Sequence, residues 1–113
     1  MQLITELNDN PKQNLRFIVD TGEEFTISFV YRENAQLWFY DLQYQDFILN
    51  GMGLVVSPNI LRQWKNIIPF GISVISNDIN DPFFLDDFKS GRVQLIVLNK
   101  NDVETVENLS YGL

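Results

Sequence analysis

The sequence predicts a mainly β fold, a small antiparallel barrel or sandwich of about seven strands with one short α-helix at about residues 58–66. Three observations carry this expectation. Phe25, Ile27, Phe29 and Tyr31 alternate with Thr26, Ser28, Val30 and Arg32, the period of a strand with one buried face. Turn clusters built on Asn, Asp, Gly and Pro punctuate the chain at short intervals. Ser57-Pro58 is the clearest helix start, with Ser as N-cap and Pro at a first helical position where its missing N–H costs nothing.

Taken in order, Gln2 to Leu7 reads as a short strand and Asn8-Asp9-Asn10-Pro11 as a turn. Leu15 to Val19 pairs as a hairpin with the alternating strand across Asp20-Thr21-Gly22-Glu23, where Gly22 is free to take positive φ. Glu33 to Gln36 turns the chain into Leu37 to Leu42. There Trp38, Tyr40 and Leu42 share one face, and Leu37, Phe39 and Asp41 share the other. Apolar groups on both faces suit a central strand, or one whose outer face meets a partner. Phe47 opens another strand, in which Gly51 and Gly53 predict a bulge or closely packed backbone. In the helix, Ile60, Leu61 and Trp64 fall on one face. Pro69-Phe70-Gly71 then forms a turn, and Trp64 and Phe70 are assigned to the core. Ile72 to Ile75 is a strand, residues 77–91 are a long acidic loop, and Arg92 to Leu98 is the last clear strand. Asn99 to Asp102 reads as a turn. Residues 99–113 read as a flexible or added C-terminal segment of a single domain spanning 1–113.

A chain of 113 residues, 45% hydrophobic and with nine Phe, buries enough surface for its own core. It has no Cys and no His, which excludes thiol catalysis, disulfides, Cys/His zinc sites and the Ser-His-Asp triad. A net charge of −7, with its eight Lys and Arg scattered, opposes binding to nucleic acid or an anionic membrane. The N-terminus lacks the pattern of a signal peptide, and no apolar run approaches the ~20 residues of a membrane span. A soluble protein made in the cytoplasm is the expectation. Gly51-Met52-Gly53 has neither the further Gly nor the following helix of a dinucleotide loop.

Asp78, Asp81, Asp86 and Asp87 crowd the acidic loop with Asn77 and Asn80, but their spacing does not fit a calcium-binding loop. No metal, cofactor or catalytic residue is therefore expected. Glu23-Glu24 and Asp86-Asp87 are sequence neighbours, and adjacent strand residues point apart, so they do not converge as a glycosidase pair. Trp38, Phe39, Tyr40 and Tyr44 suit core packing first, then a protein contact, then a stacking platform for a sugar. Phe83-Phe84-Leu85 either folds back to close the core or forms an exposed anchor. The partner-interface candidates are Phe83, Phe84, Leu85, Asp86, Asp87, Trp38 and Tyr40, with Asp86 and Asp87 supplying charge complementary to a basic partner.

The order of these features resembles the small baseplate plug family of contractile-tailed phages. The residues that carry the likeness are Asn14 to Val19, the turn Asp20 to Glu23, Phe25 to Arg32, and Trp38 to Asp41. Gly53-Leu54-Val55, Asn59-Ile60-Leu61, Phe70-Gly71, Asp81-Pro82, Asp86-Asp87-Phe88 and Gly91 continue it, and the closing apolar strand ends it at Leu98. The chain departs from the pattern in Phe83-Phe84-Leu85 and in the tail after Leu98. The resemblance implies a non-enzymatic virion protein in the tail baseplate near the hub and central spike, made in the host cytoplasm. It also implies binding to hub, tube and spike proteins in several symmetric copies. A carbohydrate- or ligand-binding β-domain, using the Trp38–Tyr40 face, is the alternative.

Overall fold

The computed structural model describes residues 2–19, 22–78, 82 and 84–111. In the described residues seven strands form two antiparallel sheets. One sheet runs β2 (Lys12–Ile18), β3 (Glu24–Arg32), β4 (Leu37–Tyr44) and β5 (Phe47–Gly53) in that order. The other places β7 (Val93–Leu98) between β1 (Gln2–Leu3) and β6 (Gly71–Ser76). The two sheets do not close on one another, so of the two expected architectures the sandwich is the one formed.

Alternation decides which faces meet. Phe25, Ile27 and Phe29 of β3 and Trp38, Tyr40 and Leu42 of β4 point inward, against Ile72 and Val74 of β6 and Val93 and Leu95 of β7. Leu54, Leu61, Ile68 and Phe70 close one side of this core. Phe70 stacks on Phe25 at 4.2 Å between ring centroids and meets Tyr44 edge-on at 5.3 Å. Burial pushes the Tyr40 hydroxyl up to about 12, because its ionised form has no water to solvate it.

The expected hairpin is present. β2 and β3 pair from Lys12–Val30 to Ile18–Glu24, and Gly22 sits at φ 87° in the turn, with Asp20 and Thr21 outside the described residues. The bulge predicted by the glycines of β5 is present too. The β4–β5 register shifts between Tyr40 and Leu42, so Asn50 and Gly51 together face Asp41, and Gly51 takes φ 65°.

The expected α-helix at 58–66 is not formed. Ser57 is extended and pairs with Val74, donating to and accepting from it at 3.0 and 2.9 Å. Ser57 Oγ still accepts from the Asn59 amide at 3.3 Å, but no α-helix follows it. Asn59, buried, ties the turn to β6: its Oδ1 accepts from the amides of Leu61 (3.0 Å) and Ile72 (3.2 Å). Beyond Leu61 the chain makes a single 3₁₀ turn at Arg62–Trp64, closed by bonds such as Trp64 N–H to the Leu61 carbonyl at 2.9 Å. Trp64, expected in the core, lies half-buried at its margin with its ring edge-on to Phe47 at 5.9 Å.

Two helices stand where a loop and a flexible or added segment were expected. α1 (Asp87–Ser90) ends at Gly91, which takes φ 81°. α2 (Lys100–Tyr111) begins with a reciprocal cap: Asn99 Oδ1 accepts from Asp102 N–H at 2.8 Å, and Asp102 Oδ2 accepts from Asn99 N–H at 3.1 Å. Val103 buries against the body. Glu107 clamps α2 to the 3₁₀ turn, taking Arg62 Nη2 at 2.8 Å and Lys65 Nζ at 2.9 Å. Arg62 first and Lys65 second hold the Glu107 carboxyl below the usual carboxylate range.

Core and margin are separable by mutation. Phe70→Ala is expected to cost about 3–5 kcal/mol, and Trp64→Ala about 1–2 kcal/mol, as read by urea denaturation. Equal losses would contradict this placement. Tyr40 gives a pH test. Its folded value lies above the ordinary one, so the folded chain keeps a proton that the unfolded chain releases. Stability from this source is full below pH 10.0 and is lost as the pH rises towards about 12. Denaturant titrations across that window are expected to show the loss in the wild type and a smaller one in Tyr40→Phe.

Candidate functional site

The acidic loop between β6 and β7 carries most of the residues singled out in the sequence, and an ion pair between a buried carboxylate and a half-buried arginine organises it. Asp87 is 1% exposed. Its carboxylate accepts from Arg92 Nε at 2.8 Å and Nη2 at 2.7 Å, a two-pronged match of planar groups. Asp87 Oδ2 also accepts from the Phe84 amide at 2.8 Å. On its outer side Arg92 reaches Asp78 Oδ1 at 2.7 Å, tying the start of the loop to its end. The hydrogen bonds that Arg92 donates to Asp87, with the Asp87 charge beside them, raise Arg92 further above its already high value.

Two further contacts fasten this unit to the sandwich. Phe88 enters the core, 4.8 Å from Trp38 and 5.9 Å from Phe29 between ring centroids. Trp38 Nε1 donates to the Phe84 carbonyl at 3.1 Å, so the indole has its partner while its ring is fully buried. Phe84 is thereby held at both its amide and its carbonyl. Its ring turns outward, 58% exposed, with the Arg92 guanidinium 5.6 Å from its centroid. Leu85 beside it is 39% exposed, and Asp86 is exposed as well. The arrangement is an apolar tip on a charge-locked base.

The interface candidates thus divide. Phe84, Leu85 and Asp86 are brought together at the surface. Phe83 lies outside the described residues. Asp87 offers no charge to a partner, because Arg92 has taken it inside the fold. Trp38 and Tyr40 are buried in the sandwich, as the core reading ranked first for them has it, which removes them both as partner-contact candidates and as the sugar-stacking face of the alternative. Among the described residues no group of His, Cys, Asp or Glu is arranged to hold a metal ion.

A family model described as cyanophage baseplate Pam3 plug gp18 matches residues 1–100. The chain belongs to this baseplate plug family. No curated protein matches it. Membership makes the chain a structural protein of the phage tail baseplate, interacting with other baseplate components. The match ends at Lys100, the first residue of α2, so nearly all of that helix lies outside the matched residues.

Arg92 is the residue of this plug loop that sequence reasoning missed. It stands at the head of a strand pattern, and nothing local distinguishes it from an ordinary surface arginine. The available signal was spacing: one helical turn and a Gly separate Asp87 from Arg92, enough to double the chain back and bring the two together. α2 had a plainer signal in Asn99 and Asp102, the two ends of a capping box.

Adjacent aspartates provide the test. Asp87→Ala leaves the shielded Arg92 charge without its main partner and is expected to cost about 3–5 kcal/mol. Asp86→Ala removes an exposed side chain and is expected to stay within about 0.5 kcal/mol of wild type. Denaturant curves for the two variants check this, and similar losses would contradict it.

Proposed function

We propose that this plug-family chain sits near the hub and central spike of a contractile tail baseplate, where it ties hub, tube and spike components together without catalysis. It is made in the host cytoplasm and joins the virion as a folded part. The observation that carries this reading is the tip formed by Phe84 and Leu85, two large apolar side chains held outward by a base that cannot easily collapse. A tip fixed before binding loses little conformational entropy on docking. Apolar side chains of this kind, surrounded by polar groups, are the usual anchors of protein interfaces. Asp86 beside the tip, on a chain of net charge −7, favours a partner whose rim is basic.

Capture from disrupted tail particles tests the proposal. Folded, tagged wild type is expected to retain hub, tube or spike proteins identified by mass spectrometry. Phe84→Ser combined with Leu85→Ser is expected to keep the wild-type melting temperature and to lose retention roughly tenfold or more. Recovery of no tail protein by folded wild type would refute the baseplate docking role. Undiminished recovery by the double variant would move the interface away from the tip.

A further inference from the structure

The four-stranded sheet has two long edges, β2 and β5, each of seven residues. Among the described strands, β2 pairs only with β3, and β5 only with β4. Open edges of this length are templates for another strand, and proteins either blunt them or use them. The four strands alternate in direction, so β2 and β5 run opposite ways. A second copy with its strands in the same orientation therefore brings its β2 antiparallel to the first copy's β5.

We propose that the chain associates with itself head to tail, β2 of one copy adding to β5 of the next so that the sheet continues across the contact. The register is set by the side chains. Ile18 on β2 and Ile48 on β5 are exposed by 72% and 55%, both on the outer face. Set opposite one another, they place Phe17 against Leu49 on the core-facing side. Arg16 then arrives at the Asn50–Gly51 bulge, beside the exposed Asp41. The bulge counts two residues against one, so the pairing resumes with Leu15 opposite Met52 on the core side and Asn14 opposite Gly53 outside. Without that extra residue Leu15 would meet Gly51, and outward Asn14 would meet inward Met52. With it, every pair agrees in face.

Backbone polarity agrees as well. Val19 N–H donates to the Glu23 carbonyl and Tyr31 N–H to the Pro11 carbonyl, each at 2.8 Å, so the odd-numbered residues of β2 bond towards β3. By alternation Asn14, Arg16 and Ile18 turn their amides and carbonyls to the open side. On β5, Leu54 N–H donates to the Trp38 carbonyl at 2.9 Å, which leaves Gly53 facing outward from the ladder. Phe47 closes the two-residue turn with Tyr44, and Ile48, the next residue, also faces the open side. Ile18 with Ile48 and Asn14 with Gly53 are therefore hydrogen-bonding pairs at both ends of the proposed ladder. Among the described residues, Arg16 makes a long, exposed contact with Glu24 at 3.5 Å. The contact brings it an acid of the neighbouring copy. A head-to-tail contact of this kind generates rings when the rotation closes. It uses neither the Phe84–Leu85 tip nor α2, so it stands or falls apart from the docking proposal.

The chain contains no cysteine, so Ile18→Cys and Ile48→Cys are clean probes. Hydrogen-bonded antiparallel pairs lie about 5.5 Å apart at Cα, within the span of a disulfide. Net charge −7 opposes association, so oxidation is carried out in concentrated solution at or above physiological salt, where the Debye length is about 8 Å or less. Mixing the two variants is expected to give a covalent dimer joining position 18 to position 48, at least tenfold faster than either variant alone. A chain carrying both substitutions is expected to give a ladder of multimers, and adding Arg16→Asp is expected to suppress it. Self-linking of one single variant as fast as the mixture would reveal a two-fold contact and overturn the proposal. So would a failure of the mixture to link while circular dichroism shows both variants folded.

Discussion

Arg92 meets Asp87 through two short hydrogen bonds at a place where the carboxylate is almost sealed from water, and the chemistry of the loop depends on that meeting. Removing two charges from water costs several kcal/mol each, and mutual attraction offsets the cost only when geometry and remaining hydrogen bonds are good. Both conditions hold here. The guanidinium is matched in its plane, the second carboxylate oxygen also takes the Phe84 amide, and Asp78 occupies the outer side of Arg92. Each of these contacts joins segments that sequence alone leaves as separate parts of a long acidic stretch.

The pair acts on the rest of the molecule through two aromatic side chains. Phe88 follows Asp87 by one residue and fills the space between Trp38 and Phe29, so locking Asp87 also places a core ring. Trp38 in turn gives its indole hydrogen to the Phe84 carbonyl. A loop that is net acidic and carries large apolar residues thus becomes an extension of the sandwich. Its tip stays exposed because its backbone is held from below. In the docking role proposed for it, a tip fixed before binding lowers the ordering cost of assembly. α2 is attached differently, through a capping box at its start and the Glu107 clamp along its length. It adds a charged ridge to the 3₁₀ turn, almost all of it outside the residues that match the family.

Much of the sandwich was legible in the sequence because strand alternation is local. Phe25 to Tyr31 declared a buried face, Gly22 declared the turn, and the paired glycines of β5 declared the bulge. The helix at 58–66 does not form because its signals are local and the forces that decide the segment are not. Ser57 is drawn into a bridge with Val74, and the Asn59 side chain ties a shorter turn to Ile72, thirteen residues away. α2 is hard to read from the sequence because Val103, Val106 and Leu109 make only a thin apolar stripe among polar residues, although Asn99 and Asp102 mark its cap. In the site, Phe84 and Leu85 stood out as apolar residues among acids. The inward turn of Asp87 did not, since it depends on Arg92 across a helical turn. Alternation also showed that Trp38 and Tyr40 share a face without showing which way that face points.

The Asp87–Arg92 pair holds the loop against the sandwich, and the indole of Trp38 reports on it directly. The chain has two tryptophans, so its two indole N–H resonances are separable by NMR, with a Trp64→Phe variant assigning them. In the wild type the Trp38 indole hydrogen, bonded to the Phe84 carbonyl, is expected to exchange slowly with deuterium. In Arg92→Leu it is expected to exchange many times faster, while the amides of β3 and β4 stay protected. Slow exchange of the Trp38 indole in that variant would show that the loop is held without the ion pair, and would contradict the account.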